Sequence, residues 1–131
     1  LPRKKVLLFR SEIANDILPR QLRSLGAQVT DVSGYTIRKP RVPTAKVKQL
    51  FRNGDIDLIT FTSPSTFTNF VSLMEGEPVK QLLKGTKVAA IGPVTKKEIV
   101  QHGVRVAVTA ASHTVPHLVE DIIAYYRSKK R

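Results

Sequence analysis

Two short segments combine hydroxyl side chains, glycine and proline in a pattern that could bind an anion. Residues 62–66 (Thr-Ser-Pro-Ser-Thr) and residues 92–95 (Gly-Pro-Val-Thr) each follow a short apolar run that is typical of a buried strand. In both segments a proline stands where a helix could begin. The first N–H groups of a helix have no acceptor within the helix, and such groups bind anions. The two segments therefore indicate a polar edge that could hold an anionic ligand.

The same segments also have an ordinary structural interpretation. Ser63 or Ser65 can cap a helix that begins at Pro64, by accepting a hydrogen bond from a free N–H group. Thr95 and Glu98 have the spacing of a capping box, in which each side chain bonds to the backbone N–H of the other residue. Capping alone and anion binding both remain open for each segment taken singly.

The overall charge favours an anionic partner. Lys and Arg number 22 against 10 Asp and Glu, so the formal net charge is +12. Such an excess is typical of proteins that bind nucleic acid, phosphate or a polycarboxylate, although a basic surface can also serve solubility alone. The sequence has no Trp, and its aromatic residues do not alternate with its basic ones. We therefore predict no base-stacking platform and no specific nucleic acid as partner.

The sequence lacks the patterns of several other classes of protein. The P-loop pattern GxxxxGK[ST], a GxGxxG pattern after the first strand and the GxSxG nucleophile elbow are absent. There is no Cys, and the three His residues (His102, His113 and His117) lack the spacing of metal ligands, so we predict no disulfide and no metal site. No apolar run approaches about 20 residues and no signal peptide is visible, so we expect no membrane partner and a cytoplasmic protein.

Apolar segments alternate with amphipathic ones along the chain. Short apolar runs predict five strands, at residues 6–9, 28–32, 57–61, 87–91 and 104–109. Helical patterns follow each strand, and Gly26, Gly54 and Gly103 stand where helices would end. This alternation is typical of a parallel sheet covered on both faces. We therefore predict one α/β domain over residues 1–131, with a single five-stranded, doubly wound, flavodoxin-like sheet of order 2-1-3-4-5.

Polar residues concentrate at the predicted carboxyl ends of these strands. Arg10 and Ser11 follow the first strand, residues 33–35 (Ser-Gly-Tyr) follow the second, and residues 109–114 follow the fifth. The two hydroxyl segments follow the third and fourth strands. Ligands of doubly wound sheets bind beyond the carboxyl ends of the strands, so this edge is the predicted site.

Taken together, these segments resemble the uroporphyrinogen-III synthase family. Residues 61–65 look like the FTSPS strand end of this family, and residues 89–95 resemble its AAIGPxT motif. Residues 8–14 are similar to its LxRGEIA stretch, and the resemblance covers nearly the whole chain. It implies an enzyme of haem biosynthesis that cyclises the linear tetrapyrrole hydroxymethylbilane into uroporphyrinogen III. The family inverts the last pyrrole ring and removes water, with no cofactor.

The resemblance also implies roles for individual residues. Tyr35 would be the catalytic residue, assisting loss of the substrate's hydroxyl group. The substrate carries acetate and propionate on every ring, so helix starts in a basic chain suit it. The implied substrate-binding residues are Arg10, Ser63, Ser65, Gly92 and Thr95. Among them, Gly92 would allow close approach of the backbone. The sequence departs from the family at Val94, where some relatives have a hydroxyl, and at Ser11, where Gly is common.

Members of the family have two lobes and are roughly double this length, and the resemblance is to the C-terminal half. We expect an excised or engineered half-protein, with a crossover between lobes within residues 36–44. Its units can pack as a compact monomer, which we favour, or exchange between copies as a segment-swapped homodimer. We favour a folded scaffold with little or no activity, because half a cleft cannot surround a tetrapyrrole. An active synthase half remains open, and the alternative is a basic domain that binds anions or nucleic acid.

Overall fold

A computed structural model describes residues 2–11, 17–35, 44–74 and 76–129 of the chain. The strands are β1 (Lys5–Ser11), β2 (Gln28–Tyr35), β3 (Leu58–Phe61), β4 (Lys87–Ala90) and β5 (Val108–Thr109). The helices are α1 (Ile17–Ser24), α2 (Thr44–Arg52), α3 (Pro64–Leu73), α4 (Val79–Leu82), α5 (Pro93–Gln101) and α6 (Val115–Lys129). In the described part of the chain, no helix is long and apolar enough to cross a membrane.

The strands form one parallel sheet in the order β2-β1-β3-β4-β5. In the centre, Leu7 lies opposite Ile59, and Ile59 lies opposite Val88. The order reverses direction after β2, so the chain winds first to one side of β1 and then to the other. The predicted fold class and strand order are confirmed.

Alternating side chains of the strands divide the core into two clusters, one on each face of the sheet. Leu7, Ile59 and Phe61 face α2 to α5, where Phe61 meets the rings of Phe67 and Phe70 edge to face at 5.1 and 5.5 Å. The other face packs against α1 and α6, through residues that include Val6, Leu8, Leu22, Leu118 and Ile122. Burial on both faces explains why the strands read as apolar runs rather than as alternating patterns.

Glycine follows the ends of α1, α2 and α5, as the sequence predicts. Gly26 follows α1 with φ of 90°, and Gly103 follows α5 with φ of 77°. This left-handed conformation favours glycine and turns the chain back toward the sheet. The predicted crossover within residues 36–44 lies outside the described residues, apart from Thr44, at which α2 begins.

The fifth strand is much shorter than predicted. The sequence predicts a strand over residues 104–109, but only Val108 and Thr109 pair with β4. Before them, the N–H of Ala107 donates to the carbonyl of Val88 at 2.8 Å, and residues 104–106 lie outside the ladder. Val104 is buried in the core all the same. The apolar pattern of residues 104–106 therefore indicates that side chains such as Val104 are buried, and it does not indicate that the backbone pairs with β4.

Candidate functional site

Two helices begin side by side at the carboxyl edge of the sheet. β3 leads into α3 through Thr62 and Ser63, and β4 leads into α5 through Ile91 and Gly92. The N–H of Ile91 donates to the carbonyl of Phe61 at 3.1 Å, which extends the pairing of the two strands to their ends. α3 and α5 also pack against each other. The two hydroxyl segments of the sequence therefore lie next to each other in space.

At the start of α3, the side chains of Ser63 and Thr66 form a capping box. Ser63 is the N-cap residue, and its Oγ accepts from the N–H of Thr66 at 3.1 Å. In return, the Thr66 hydroxyl accepts from the N–H of Ser63 at 3.3 Å and donates to its carbonyl at 2.7 Å. Of the two serines that could cap this helix, Ser63 does so. The hydroxyl of Ser65 lies 3.1 Å from that of Ser63 and remains exposed.

The start of α5 has the same layout without the capping side chain. Gly92 is its N-cap and Pro93 its first residue, which makes Thr95 the counterpart of Thr66 in α3. Thr95 is fully buried, and its Oγ1 has no hydrogen-bond partner among the described residues. The predicted capping box of Thr95 with Glu98 is wrong, because Thr95 lies inside the helix.

Backbone N–H groups at both helix starts have no acceptor among the described residues. Ser65 and Val94 are the second residues of their helices, where an N–H cannot bond within the helix. The preceding residues, Pro64 and Pro93, have no N–H to offer. Among the described residues no other group accepts from these two N–H groups. Ser65 is exposed and Val94 is 66% exposed, so both residues lie at the surface of the domain, where anions bind helix starts.

A third loop brings His113 to the same edge. A Cβ atom built on Gly92 would lie 2.8 Å from Nδ1 of His113, so the imidazole occupies the space that a side chain at residue 92 would need. The sequence predicts that His113 follows the fifth strand, but it indicates no role for His113 in the site. Its position after the fifth strand indicates the carboxyl edge of the sheet. The contact with Gly92 could not be predicted, because it joins two separate loops of the chain.

The neighbouring helix start has its own cap. The Thr114 hydroxyl accepts from the N–H of His117 at 3.3 Å and lies 2.7 Å from Nδ1 of His117. This places His117 against the start of α6. Across the described ranges, no group of three or more His, Cys, Asp or Glu residues could hold a metal ion.

The backbones of Arg10 and Tyr35 reach the same edge of the sheet. Phe9 pairs with Val32 but Ser11 pairs with Tyr35, so β2 carries one more residue than β1 between these pairs. Bulges of this kind often re-aim side chains beside functional sites. β1 lies between β2 and β3, so the end of β2 is about 10 Å from the end of β3. The side chains of Arg10 and Tyr35 lie outside the described part of the structure, and their roles remain predictions.

Fixed positive charge is not part of the loops that follow β3, β4 and β5. Residues 62–66, 91–95 and 110–114 contain no Lys or Arg. The group with a strongly raised pKa also lies elsewhere: burial, with smaller contributions from Asp57 and Tyr125, raises the pKa of Tyr126 to about 12. Asp57 precedes β3, so Tyr126 belongs to the opposite, amino edge of the sheet. The described carboxyl edge therefore offers hydroxyl and N–H donors rather than cationic side chains.

A doubly wound sheet of order β2-β1-β3-β4-β5 defines a flavodoxin-like α/β domain, a class whose members bind ligands beyond the carboxyl ends of the strands. The sequence model of the family described as uroporphyrinogen-III synthase HemD matches residues 1–120, and the chain belongs to this family. A family protein of Methanothermobacter thermautotrophicus is 37% identical over 120 residues, covering 88% of this chain and 47% of that protein. The uroporphyrinogen-III synthase of Synechococcus elongatus is 33% identical over 106 residues, covering 78% and 40%. The predicted family is confirmed.

The chain spans less than half the length of these relatives. In two solved structures the chain matches slightly more than half of the length. Uroporphyrinogen III synthase of Thermus thermophilus matches 96% of this chain with 52% of its own, at a TM-score of 0.57 and 16% identity. A cobalamin-binding protein of Desulfitobacterium hafniense matches 94% with 59% of its own, at a TM-score of 0.52 and 14% identity. These two likenesses support the fold.

Proposed function

We propose that this chain forms one side of the substrate cleft of a uroporphyrinogen-III synthase. The complete enzyme cyclises hydroxymethylbilane, inverts the last pyrrole ring and removes water without a cofactor. The observation that carries the proposal is the pair of exposed N–H groups of Ser65 and Val94, on adjacent helix starts. Two such donors suit a substrate that carries carboxylates on every ring. Membership of the family supports the choice of this substrate among polycarboxylates.

The individual roles follow from position and exposure. Ser63 and Ser65 offer hydroxyl groups beside the exposed N–H of Ser65, where a substrate carboxylate would bind. Gly92 leaves room for the imidazole of His113, which adds a polar ring to the cleft. Thr95 is fully buried, so a substrate would reach it only after its neighbours move. In this proposal Thr95 is part of the first turn of α5 and does not contact the substrate directly.

Tyr35 and Arg10 complete the proposed site from the other end of the edge. We propose that Tyr35 assists departure of the substrate's hydroxyl group and that Arg10 binds a carboxylate. Tyr35 ends β2, which lies across β1 from β3 at about 10 Å, whereas Arg10 lies near the end of β1, next to β3. That separation lets one extended substrate contact both groups at once.

We further propose that the chain is a monomer and that, as the C-terminal half of the family's two-lobed protein, it has little or no activity alone. α1 packs against α6 and α2 against α4, so the first two strand–helix units close both core clusters within one chain. A single lobe surrounds only part of a tetrapyrrole and cannot hold its two ends together for ring closure. Light scattering after size-exclusion chromatography gives the oligomeric state, and a dimer would support segment exchange instead.

The decisive assay separates the isomers of the product. Hydroxymethylbilane is incubated with the purified chain, the product is oxidised, and isomers I and III are resolved by chromatography. We expect isomer I alone, which forms spontaneously. Isomer III above background would show that the chain is active, and Tyr35→Phe would then test the catalytic role proposed for Tyr35.

Binding tests the substrate class separately from activity. Uroporphyrin III serves as the probe, and its fluorescence reports binding. Val94→Pro removes the exposed N–H at a position where a first helical turn tolerates proline, and Val94→Ala keeps it. We expect Val94→Pro to weaken binding about tenfold, as for one lost charge-assisted hydrogen bond, and Val94→Ala to leave it unchanged. Equal affinities of the two variants, or no binding by the unaltered chain, would contradict the proposed substrate contacts.

A further inference from the structure

A cavity lies at the amino edge of the sheet, opposite the candidate site. Its volume is about 460 Å³. α4 and the start of β4 form one wall, residues 103–107 form another, and Tyr125 of α6 contributes to the lining. No residue of the proposed substrate cleft takes part in it.

The cavity exists because the fifth strand begins late. Residues 104–106 run past Lys87 and Val88 without pairing to them. Val104 anchors this segment in the core, while Arg105 stays exposed. The gap that a longer β5 would fill is left open to solvent.

Four cationic side chains line this gap: Lys80, Lys84, Lys87 and Arg105. Each residue is exposed, and the lining includes no Asp or Glu. None of the four forms an ion pair with another described residue, whereas Lys5 pairs with Asp55, and Arg52 pairs with Glu77. Four like charges around one cavity repel one another, and a bound anion would relieve that repulsion.

We propose that this cavity binds a small multivalent anion of the polyphosphate class. Lysine ammonium groups act as point charges for phosphate, and the guanidinium of Arg105 can bond to two of its oxygens. The hydroxyl of Thr86 already donates to the carbonyl of Ile56 at 3.1 Å, so recognition rests on the cations. A concave site with its charges gathered round one volume suits a compact anion better than an extended nucleic-acid backbone, which needs a stripe of charge.

Isothermal titration of the full chain with tripolyphosphate tests this proposal, with citrate as a second arm to separate phosphates from carboxylates. The double variant Lys84→Gln, Arg105→Gln removes two charges from the cavity. Its matched control, Lys46→Gln, Lys97→Gln, removes two exposed charges from α2 and α5. We expect one tripolyphosphate bound per chain, about tenfold weaker binding by the cavity variant, and little change in the control.

Each other outcome overturns the proposal in a different way. Equal weakening in both variants would mean that the anion responds to net charge and not to the cavity. Tighter binding of citrate would assign the site to polycarboxylates. Duplex DNA that binds more tightly than tripolyphosphate, with the same loss in the cavity variant, would identify a nucleic-acid surface. Absence of binding at about 20 mM salt, where screening is weak, would remove the site altogether. Circular dichroism verifies that both variants are folded.

Discussion

The starts of α3 and α5 show how one sequence pattern gives two different helix starts. Each has a cap residue, a proline, a variable residue and a threonine, and each follows a central strand. With Ser63 at the cap, both the N–H and the hydroxyl of Thr66 bond to Ser63. With Gly92 at the cap, Thr95 has no partner among the described residues, and His113 fills the vacated space. A single hydroxymethyl group therefore distinguishes a helix start that is capped by side chains from one whose cap residue packs against a neighbouring loop.

The two threonines should respond in opposite directions to the same substitution. Thr66→Val should lower the free energy of unfolding by about 1–3 kcal/mol, because it removes the bonds of the Thr66 hydroxyl and leaves the N–H of Ser63 without its acceptor. Thr95→Val should leave that free energy unchanged or raise it by about 1 kcal/mol, because it removes a buried hydroxyl without a partner. Urea titrations of both variants measure the difference. Equal losses would mean that the two starts are equivalent.

Ser63 can be altered to make α3 resemble α5. Ser63→Ala should cost about 1 kcal/mol, whereas Ser63→Gly should cost only a few tenths. The expected fall in Tm for Ser63→Ala is about 2–6 °C for a chain of this size. Ser72→Ala, on an exposed position of the same helix, is the control and should change Tm little. An equal effect of Ser63→Ala and Ser72→Ala would show that the cap adds nothing.

The reverse change gives α5 the side chain of α3. Gly92 is extended, with φ of −170°, so serine fits its backbone. Gly92→Ser alone must displace the imidazole of His113, but together with His113→Ala it can accept from the N–H of Thr95. We expect the double variant to gain a few tenths of a kcal/mol over His113→Ala. A double-mutant cycle of thermal unfolding measures the coupling, and strict additivity would mean that His113 does not occupy this space.

Tyr126 extends the comparison to a buried hydroxyl that can ionise. Like Thr95, its hydroxyl has no partner among the described residues. Its pKa rises from 10.0 to about 12 on folding, so the unfolded chain loses this proton first. The contribution to stability is therefore complete below about pH 10, including neutral pH, where it does not vary, and it declines as the pH rises toward 12. Unfolding of the chain and of Tyr126→Phe between about pH 9 and 11.5 should show a steeper decline for the unaltered chain. Parallel curves would contradict this.

The fold could be predicted because its signals are local and agree with one another. Apolar runs such as residues 6–9, glycine after α1 and α5, and proline at the starts of α3 and α5 each specify one element. The late start of β5 could not be predicted in this way. Val104 is buried whether or not its backbone pairs with β4, so hydropathy does not distinguish the two arrangements.

The candidate site was predictable in outline and less so in detail. Ser63 was identified as a candidate cap because serine before proline is a strong local signal. The spacing of Thr95 and Glu98 predicted a capping box that does not form, because residues three apart occur inside every helix as well as at its start. His113 was missed because its contact with Gly92 depends on how two loops meet across the edge. Arg10 and Tyr35 were assigned from family resemblance alone and remain predictions.

The lengths of the two outer strands limit how copies of this chain could join. β2 has eight residues and β5 has two. An outer strand exposes unpaired N–H and carbonyl groups that can template another strand, and a short one offers few of them. Two copies that joined through β2 would form a continuous sheet with a short β5 at both outer ends. Sheet extension through β2 would therefore stop at a pair, because the two residues of β5 offer few groups for a further strand.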